Sequence, residues 1–433
     1  MSQAIVAKTA VSLTTLRKPL ANITFLLSLF PYLTLLKVPW DIQPWALIFA
    51  LAYLALMLIA LKFRTSFPGP LLILILATLY GISVNLIYIT LDQLDVSIML
   101  RRLAGYVTII TIAFVAANEH RNIWSGWLFI AVLFWLGAAV AQKLFGSNFI
   151  ALLLPRVSTN IHRGIVSLAP EPSYYAVQMG FFMLLNEIFR QERRYSDILY
   201  QCILLLCIVQ LFLSLSGTGF LILTLFVGGK VLSLKQFMLK ACTIIFLVVA
   251  TTIFIIIPAE LPKNPRICTI INEIKYVIIG EKSIKSLLED RSIAYRLINP
   301  IVGFYGGLAV SRGIGFGWGR ITEEKFPEWL IVLLGPYRYS GGKPVGEWKW
   351  GGTIMGGIVA IVYELGIVGL LYISVIFWLM FRTLAKKTIT HEILIITLIL
   401  MFGGFVSLAH PLLGYLIGLY MVRATPDGKK GAL

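Results

Sequence analysis

The chain has 433 residues, 58% of them hydrophobic and only 13% charged, with a formal net charge of +17. A water-soluble fold of this length cannot hide so much apolar surface in one core. Composition therefore excludes a soluble enzyme and indicates an all-α polytopic membrane protein, read as a single integral membrane domain over 1–433.

A hydrocarbon layer of about 30 Å takes about 20 helical residues to cross. Apolar runs predict spans at 20–36, 45–61, 70–90, 102–117, 123–142, 172–189, 198–214, 218–233, 238–257, 352–381, 392–409 and 411–422, about twelve in all. The run at 352–381 would make about 45 Å of helix, too long for one straight crossing, so part of it is expected outside the bilayer. Residues 1–20 lack a compact apolar region with a small-residue cleavage site, and the first helix is expected to serve as the membrane address. Cys202, Cys207 and Cys242 sit in apolar runs and Cys268 stands alone in a long loop, which implies neither a disulfide framework nor a metal site.

Lysine and arginine set the orientation, because short cytoplasmic loops retain positive charge. With the N-terminus inside, eighteen fall on inside segments and six in short outside loops. Both termini are thus expected in the cytoplasm. The net charge is then topology plus attraction to anionic membrane lipids, and no basic tract marks nucleic acid as a partner.

Two outside segments interrupt the rhythm of helix and short loop. The first, 143–171, ends in "RGIVSLAPEPSYYA". The second, 258–351, is a large outside loop containing "INEIKYVIIGEKSIKSLLEDRSIAYRLINPIVGFYGG", whose Ile271, Ile274, Val277 and Ile278 recur at helical spacing. It reads as amphipathic helices lying over the membrane mouth. "SRGIGFGWGR" follows it; no strand of a βαβ unit precedes these glycines, so a nucleotide loop is rejected. There is no internal repeat, and the absence of inverted halves counts against a transporter.

On this topology Arg163, Glu171, Arg291, Arg296, Arg312, Arg320 and Arg338 share the outside face. Guanidinium forks bind phosphate oxygens bidentately, which suits a phosphorylated lipid with a diphosphate leaving group. Snorkelling to headgroups or pairing with acidic residues of the loop would explain any single one as well. Glu171 and Pro172 read as a helix start. A carboxylate beside arginines can also take a proton from a hydroxyl or orient a guanidinium, and both readings stand. Glu364 is an acid inside a predicted span, unless the span begins near Gly366. His410, ahead of Pro411, is either a hydrogen-bonded turn residue or a catalyst. "SLSGTGF", 214–220, is a turn at the outside end of two spans.

Taken in order, "RGIVSLAPEPSYYA", "SLSGTGFL", "EDRSIAYRLINPIVGFYGGLAVSRGIGFGWG" and "YELGIVGLL" resemble the O-antigen polymerase and O-antigen ligase superfamily across some 250 residues. The resemblance implies a helical fold of the GT-C type, acting at the periplasmic face of a bacterial inner membrane with no metal or nucleotide cofactor. It implies glycosyl transfer from an undecaprenyl-diphosphate-linked oligosaccharide donor to a lipid-linked acceptor, with a chain-length regulator as a further expected partner. Arg163, Arg291 and Arg296 stand where that family's diphosphate-binding arginines are expected. Ligases usually carry an arginine where this chain has Gly217 and a His-Asn pair where it has Met355 and Gly356. With both ligase signatures missing, Glu-Pro-Ser favours a repeat-unit polymerase, and Glu171 and His410 are the candidate bases. The rivals are a ligase, a flippase, which should line its cavity with charges inside the spans, and a scaffold, which would need a large soluble domain.

Overall fold

The computed structural model describes residues 15–34, 40–60, 68–89, 96–157, 164–232, 300–301, 303–318, 339–340, 343–344, 357–384 and 406–424. These are almost wholly helical. In chain order the elements are α1 (Arg17–Ser28), α2 (Trp45–Ala60), α3 (Gly69–Ile89), α4 (Val96–Glu119), α5 (Gly126–Phe145), the short α6 (Ser147–Ala151), α7 (Pro172–Gln191), α8 (Asp197–Ser214), α9 (Gly217–Leu232), α10 (Gly357–Leu384) and α11 (Pro411–Ala424). A π-helical turn at Gly306–Val310 and a two-residue antiparallel pair, β1 (Tyr339–Ser340) with β2 (Lys343–Pro344), complete the set.

Five segments are long and apolar enough to cross a membrane: Gly69–Ile87, Met99–Asn122, Gly126–Phe145, Asp197–Ser214 and Gly357–Arg382. Trp45–Ile59, Gly217–Val227 and Pro411–Ala424 are apolar but shorter. The molecule is a helical membrane protein. Its outer surface says the same: Leu72, Leu76 and Leu86 on α3, Phe134 on α5 and Leu205 on α8 are all exposed. Water would penalise such a belt, whereas lipid does not.

Helix ends follow local chemistry. Pro172 and Pro411 stand at the first turns of α7 and α11, where no amide hydrogen is needed. Ser196 caps α8 by accepting from the Leu199 amide at 3.3 Å. The run expected as a span at 20–36 is helical only to Ser28, twelve residues of α1, because Pro31 cannot donate into a continuing helix. Residues 406–409, at the end of the span expected at 392–409, form a turn, and 238–257 lies outside the described residues.

The centre of the bundle is α7, buried from Tyr175 to Phe189, together with α11, buried from Pro411 to Met421. Polar side chains tie the interior together. Tyr175 donates to Gln210 at 2.9 Å, Asn186 to the Tyr200 carbonyl at 3.0 Å, and Tyr200 to Glu187 at 2.9 Å. In a medium with no water to compete, such bonds link helices. Gly414 and Gly418, four apart on α11, let it lie against Ile109 and Ala113 of α4.

Antiparallel packing sorts the charges into two ends, named inner and outer after the distribution of lysine and arginine. Arg17, Glu119, Glu192, Arg194 and Arg423 gather at the inner end through the Arg17–Glu119, Arg194–Glu192 and Arg423–Glu192 pairs. Asp41, Arg156 and Glu171 gather at the outer end, as do Arg102 and Glu364.

Candidate functional site

The stretch leading into α7 is wedged between two helices. A Cβ on Gly164 would overlap the Ser214 carbonyl at the end of α8, so only glycine passes there. The Ile165 amide donates to Leu213 at 3.1 Å, and the Val166 and Ser167 amides both donate to Gln142 of α5 at 3.0 Å. The Ser167 hydroxyl donates to the Trp135 carbonyl. This places Glu171 at the outer end as the residue before Pro172, with extended backbone and no side-chain cap bond. Its carboxylate instead accepts from Arg156 Nη1 at 3.1 Å. Arg156 in turn grips Asp41 with two bonds, Nε to Oδ1 at 2.6 Å and Nη2 to Oδ2 at 2.8 Å. The Asp41 bonds hold the Arg156 guanidinium charged, above its ordinary range, against the opposing effect of burial.

The glycine-rich stretch 313–318 docks on a broken helix. Within α10, Gly366 has φ 59° and ψ −130°, a region that residues with a Cβ avoid. The break frees carbonyls of the preceding turn, and the loop fills the gap. The Phe316 amide donates to the Tyr363 carbonyl at 2.9 Å, Gly317 to Glu364 at 3.0 Å, and the Ile367 amide returns a bond to Gly313 at 2.9 Å. A Cβ on Gly366 would overlap the Gly313 carbonyl, and one on Gly315 the Glu364 carbonyl. Beyond the loop, the Trp318 amide donates to Asn85 of α3 at 2.7 Å, and the indole packs 5.2 Å from the Tyr106 ring. Gly313, Gly315 and Gly317 thus clamp one turn of α10.

That turn carries Glu364, 3% exposed. Its Oε2 accepts from the Tyr106 hydroxyl at 2.8 Å and its Oε1 lies 3.2 Å from Arg102 Nε. Glu364 is therefore neither in lipid nor at a wet interface; it is the buried counter-ion of an α4 arginine.

Arg102 and its neighbour Arg101 border a cavity of about 160 Å³. Tyr32, Asp41, Tyr174 and His410 also line it. Gly105 of α4 makes the junction possible, since a Cβ there would sit 3.3 Å from the Ala409 amide. On this wall Arg101 Nε, a donor, and His410 Nδ1 are buried without a hydrogen-bond partner.

The network fixes what His410 Nδ1 is. Gln178 Nε2 donates to the Leu29 carbonyl at 3.1 Å, so its Oε1 points the other way, 3.1 Å from His410 Nε2. An oxygen can only accept, so Nε2 carries the hydrogen and Nδ1 keeps a lone pair. The ring is held by stacking on Phe181, centroids 4.4 Å apart, and by the edge of Tyr32. His410 therefore borders the same cavity as a pair of guanidinium groups, with its lone-pair nitrogen buried behind the cavity surface. Such a cavity can bind an oxyanion and accept a proton from a hydroxyl.

Of the residues singled out in the sequence, His410 lines the cavity and Glu171 stands beside it through Arg156 and Asp41. Arg312 is exposed, with φ 56°, and is not among the residues of the cavity wall. Arg163, Arg291, Arg296, Arg320 and Arg338 lie outside the described residues, as do Met355 and Gly356. Arg101 and Arg102 were missed, counted only as topological charge. Their signal was a tandem arginine on a helix whose following residues are apolar. Gly217 has nothing within 4 Å of where its Cβ would be, so a Cβ there would meet no obstruction.

Among the described residues no cluster of three His, Cys, Asp or Glu side chains is placed to hold a metal ion. Compared with known proteins, the chain matches no family, no curated protein and no solved structure.

Proposed function

We propose that the protein polymerises lipid-linked oligosaccharide repeat units of an O-antigen or related surface polysaccharide. In this reading it is a metal-independent glycosyltransferase with about twelve crossings and a GT-C-like fold, in a bacterial inner membrane. The observation that carries the reading is the outer-end cavity, where Arg101 and Arg102 share a wall with the unpaired Nδ1 of His410. The motif resemblance set out above supplies the substrate class, undecaprenyl-diphosphate-linked chains as donor and acceptor.

The chemistry follows from the two kinds of group. An acceptor hydroxyl attacks the anomeric carbon of the donor sugar; a new carbon–oxygen bond forms as the bond to the diphosphate breaks. The diphosphate leaves with the electron pair, and the hydroxyl proton passes to His410 Nδ1. Arg101 and Arg102 stabilise the charge gathering on the diphosphate, an effect strongest where water is scarce and the donors are already in place. Arg163, Arg291, Arg296, Arg320 and Arg338 are proposed to extend the cationic surface toward the remaining phosphate oxygens. Arg312, exposed on its turn, is given no contact with the reacting groups.

Pairing supports one of the candidate bases over the other. Glu171 is already paired with Arg156, whereas His410 Nδ1 has no partner, so His410 is the proposed base and Glu171 steadies the mouth. At about 160 Å³ the cavity is small beside the roughly 300–1,000 Å³ of drug-sized sites, so it would take only the reacting end of the substrate.

The test is a gene deletion read on a surface-polysaccharide gel. A single repeat unit on the lipid core means that polymerisation was lost, as expected. No unit at all would point to a ligase or a flippase instead.

A further inference from the structure

Glu364 takes no part in the chemistry above, yet it is the one carboxylate paired with an arginine of the cavity wall among the described residues at that wall's α4 side. A buried carboxylate is costly unless matched, and its match here is a guanidinium that also borders the cavity. The two partners differ in freedom. Glu364 sits on a backbone clamped by the Gly317 amide and by Gly315, and its second oxygen is engaged by the Tyr106 hydroxyl. Arg102 reaches it by a long, rotatable side chain at 3.2 Å. Whatever moves on binding an anion is therefore the arginine, and the acid stays.

We propose that Glu364 is the resident counter-ion of the diphosphate site. It holds Arg102 in line before the diphosphate arrives, competes for that arginine while the diphosphate is bound, and takes it back as the diphosphate leaves. Arg101, whose buried Nε has no acceptor of its own, makes the contact without competition. Glu364 is thus a positioning residue that acts through Arg102 and sets how tightly the leaving group is held. The inference rests on the reading of the cavity as a diphosphate site.

The experiment is calorimetric titration of the purified full-length protein in detergent with inorganic pyrophosphate, at fixed salt. Arg101→Met tests the underlying site and should weaken binding about tenfold or more. Glu364→Gln keeps the shape and an acceptor but removes the competing charge, so pyrophosphate should bind about tenfold tighter. Tyr106→Phe keeps the ring and frees the carboxylate to lean wholly on Arg102, so binding should weaken about two- to threefold. A merely structural pair would move neither affinity in a folded protein. Unchanged or weaker binding by folded Glu364→Gln overturns the counter-ion role while leaving the diphosphate site standing. If that variant does not fold, Tyr106→Phe binding as tightly as the unaltered protein overturns it. Failure of the unaltered protein to bind pyrophosphate, or binding unaffected by Arg101→Met, sinks the site and this inference with it.

Discussion

The inner end of the bundle and the outer end bury similar groups and treat them in opposite ways. At the inner end Glu119, 1% exposed, accepts from Arg17 Nε at 2.8 Å, from the Tyr53 hydroxyl at 2.8 Å and from Asn122 at 2.7 Å. Glu192 is shared between Arg194 and Arg423. At the outer end Arg101 and His410 line one cavity, and Arg101 Nε and His410 Nδ1 are buried with no partner. Buried polar groups are normally satisfied, and each exception needs a reason. Toward the inner end the exceptions include His120 Nδ1 and the Tyr415 hydroxyl, which lies near Arg194 and Glu192; neither residue is in the wall of the outer-end cavity. The contrast separates polar groups that hold the fold from polar groups kept open for something else.

The largest effect should come where the outer end depends on the absence of a Cβ. Gly366→Ala forces a positive φ on alanine and drives its Cβ into the Gly313 carbonyl. A cost of about 3 kcal/mol or more is expected, read as loss of monodisperse protein on size-exclusion chromatography in detergent. Gly217→Ala is the control, because a Cβ there meets nothing within 4 Å; its thermal midpoint should not fall.

Replacing one arginine at each end sharpens the comparison further. Arg17→Met strips a buried carboxylate of its cation and should cost about 2–3 kcal/mol, since Tyr53 and Asn122 remain. Arg101→Met removes a donor that has no acceptor and should change stability by less than about 0.5 kcal/mol, measured by thermal unfolding in the same detergent. Equal losses would erase the distinction between the ends.

The smallest effect is a pH dependence at the inner end. Burial opposes ionisation of Glu192, but Arg194 and Arg423 outweigh it and hold the carboxyl below its usual range. A depressed folded pKa contributes stability that is present above the unfolded value, near 4.3, and is lost as pH falls through the folded one. Glu192→Gln should therefore lower the thermal midpoint at pH 7 by a few degrees, with the difference shrinking as the pH drops below about 4.

Much of the scaffold was legible because its signals are local. Apolar run length placed α2, α3, α7, α8 and α11 within a few residues, and Glu171-Pro172 marked the start of α7 correctly. The excessive length of 352–381 was read as helix lying partly outside the bilayer; the break at Gly366 was not read from it. What could not be read was anything decided by long-range packing. "GIGFGWG" was read only as far as rejecting a nucleotide loop, because nothing in its own residues says that a broken helix 50 residues later needs its amides. Arg101 and Arg102 looked like topology because their meeting with His410 depends on Gly105 admitting Ala409, three hundred positions away in the chain. The outside arginines were grouped with Glu171 by shared face alone, and of the described residues in that grouping, Glu171 and Arg312, neither lines the cavity.

The central claim is that the outer-end cavity is where repeat units are joined. The most direct measurement is the polysaccharide ladder of a deletion strain carrying Arg101→Met, with membrane levels of the protein checked in parallel. The account predicts normal levels and loss of the ladder down to a single repeat unit, a fall of about a hundredfold or more in polymerisation. A full ladder from stably expressed Arg101→Met would contradict it.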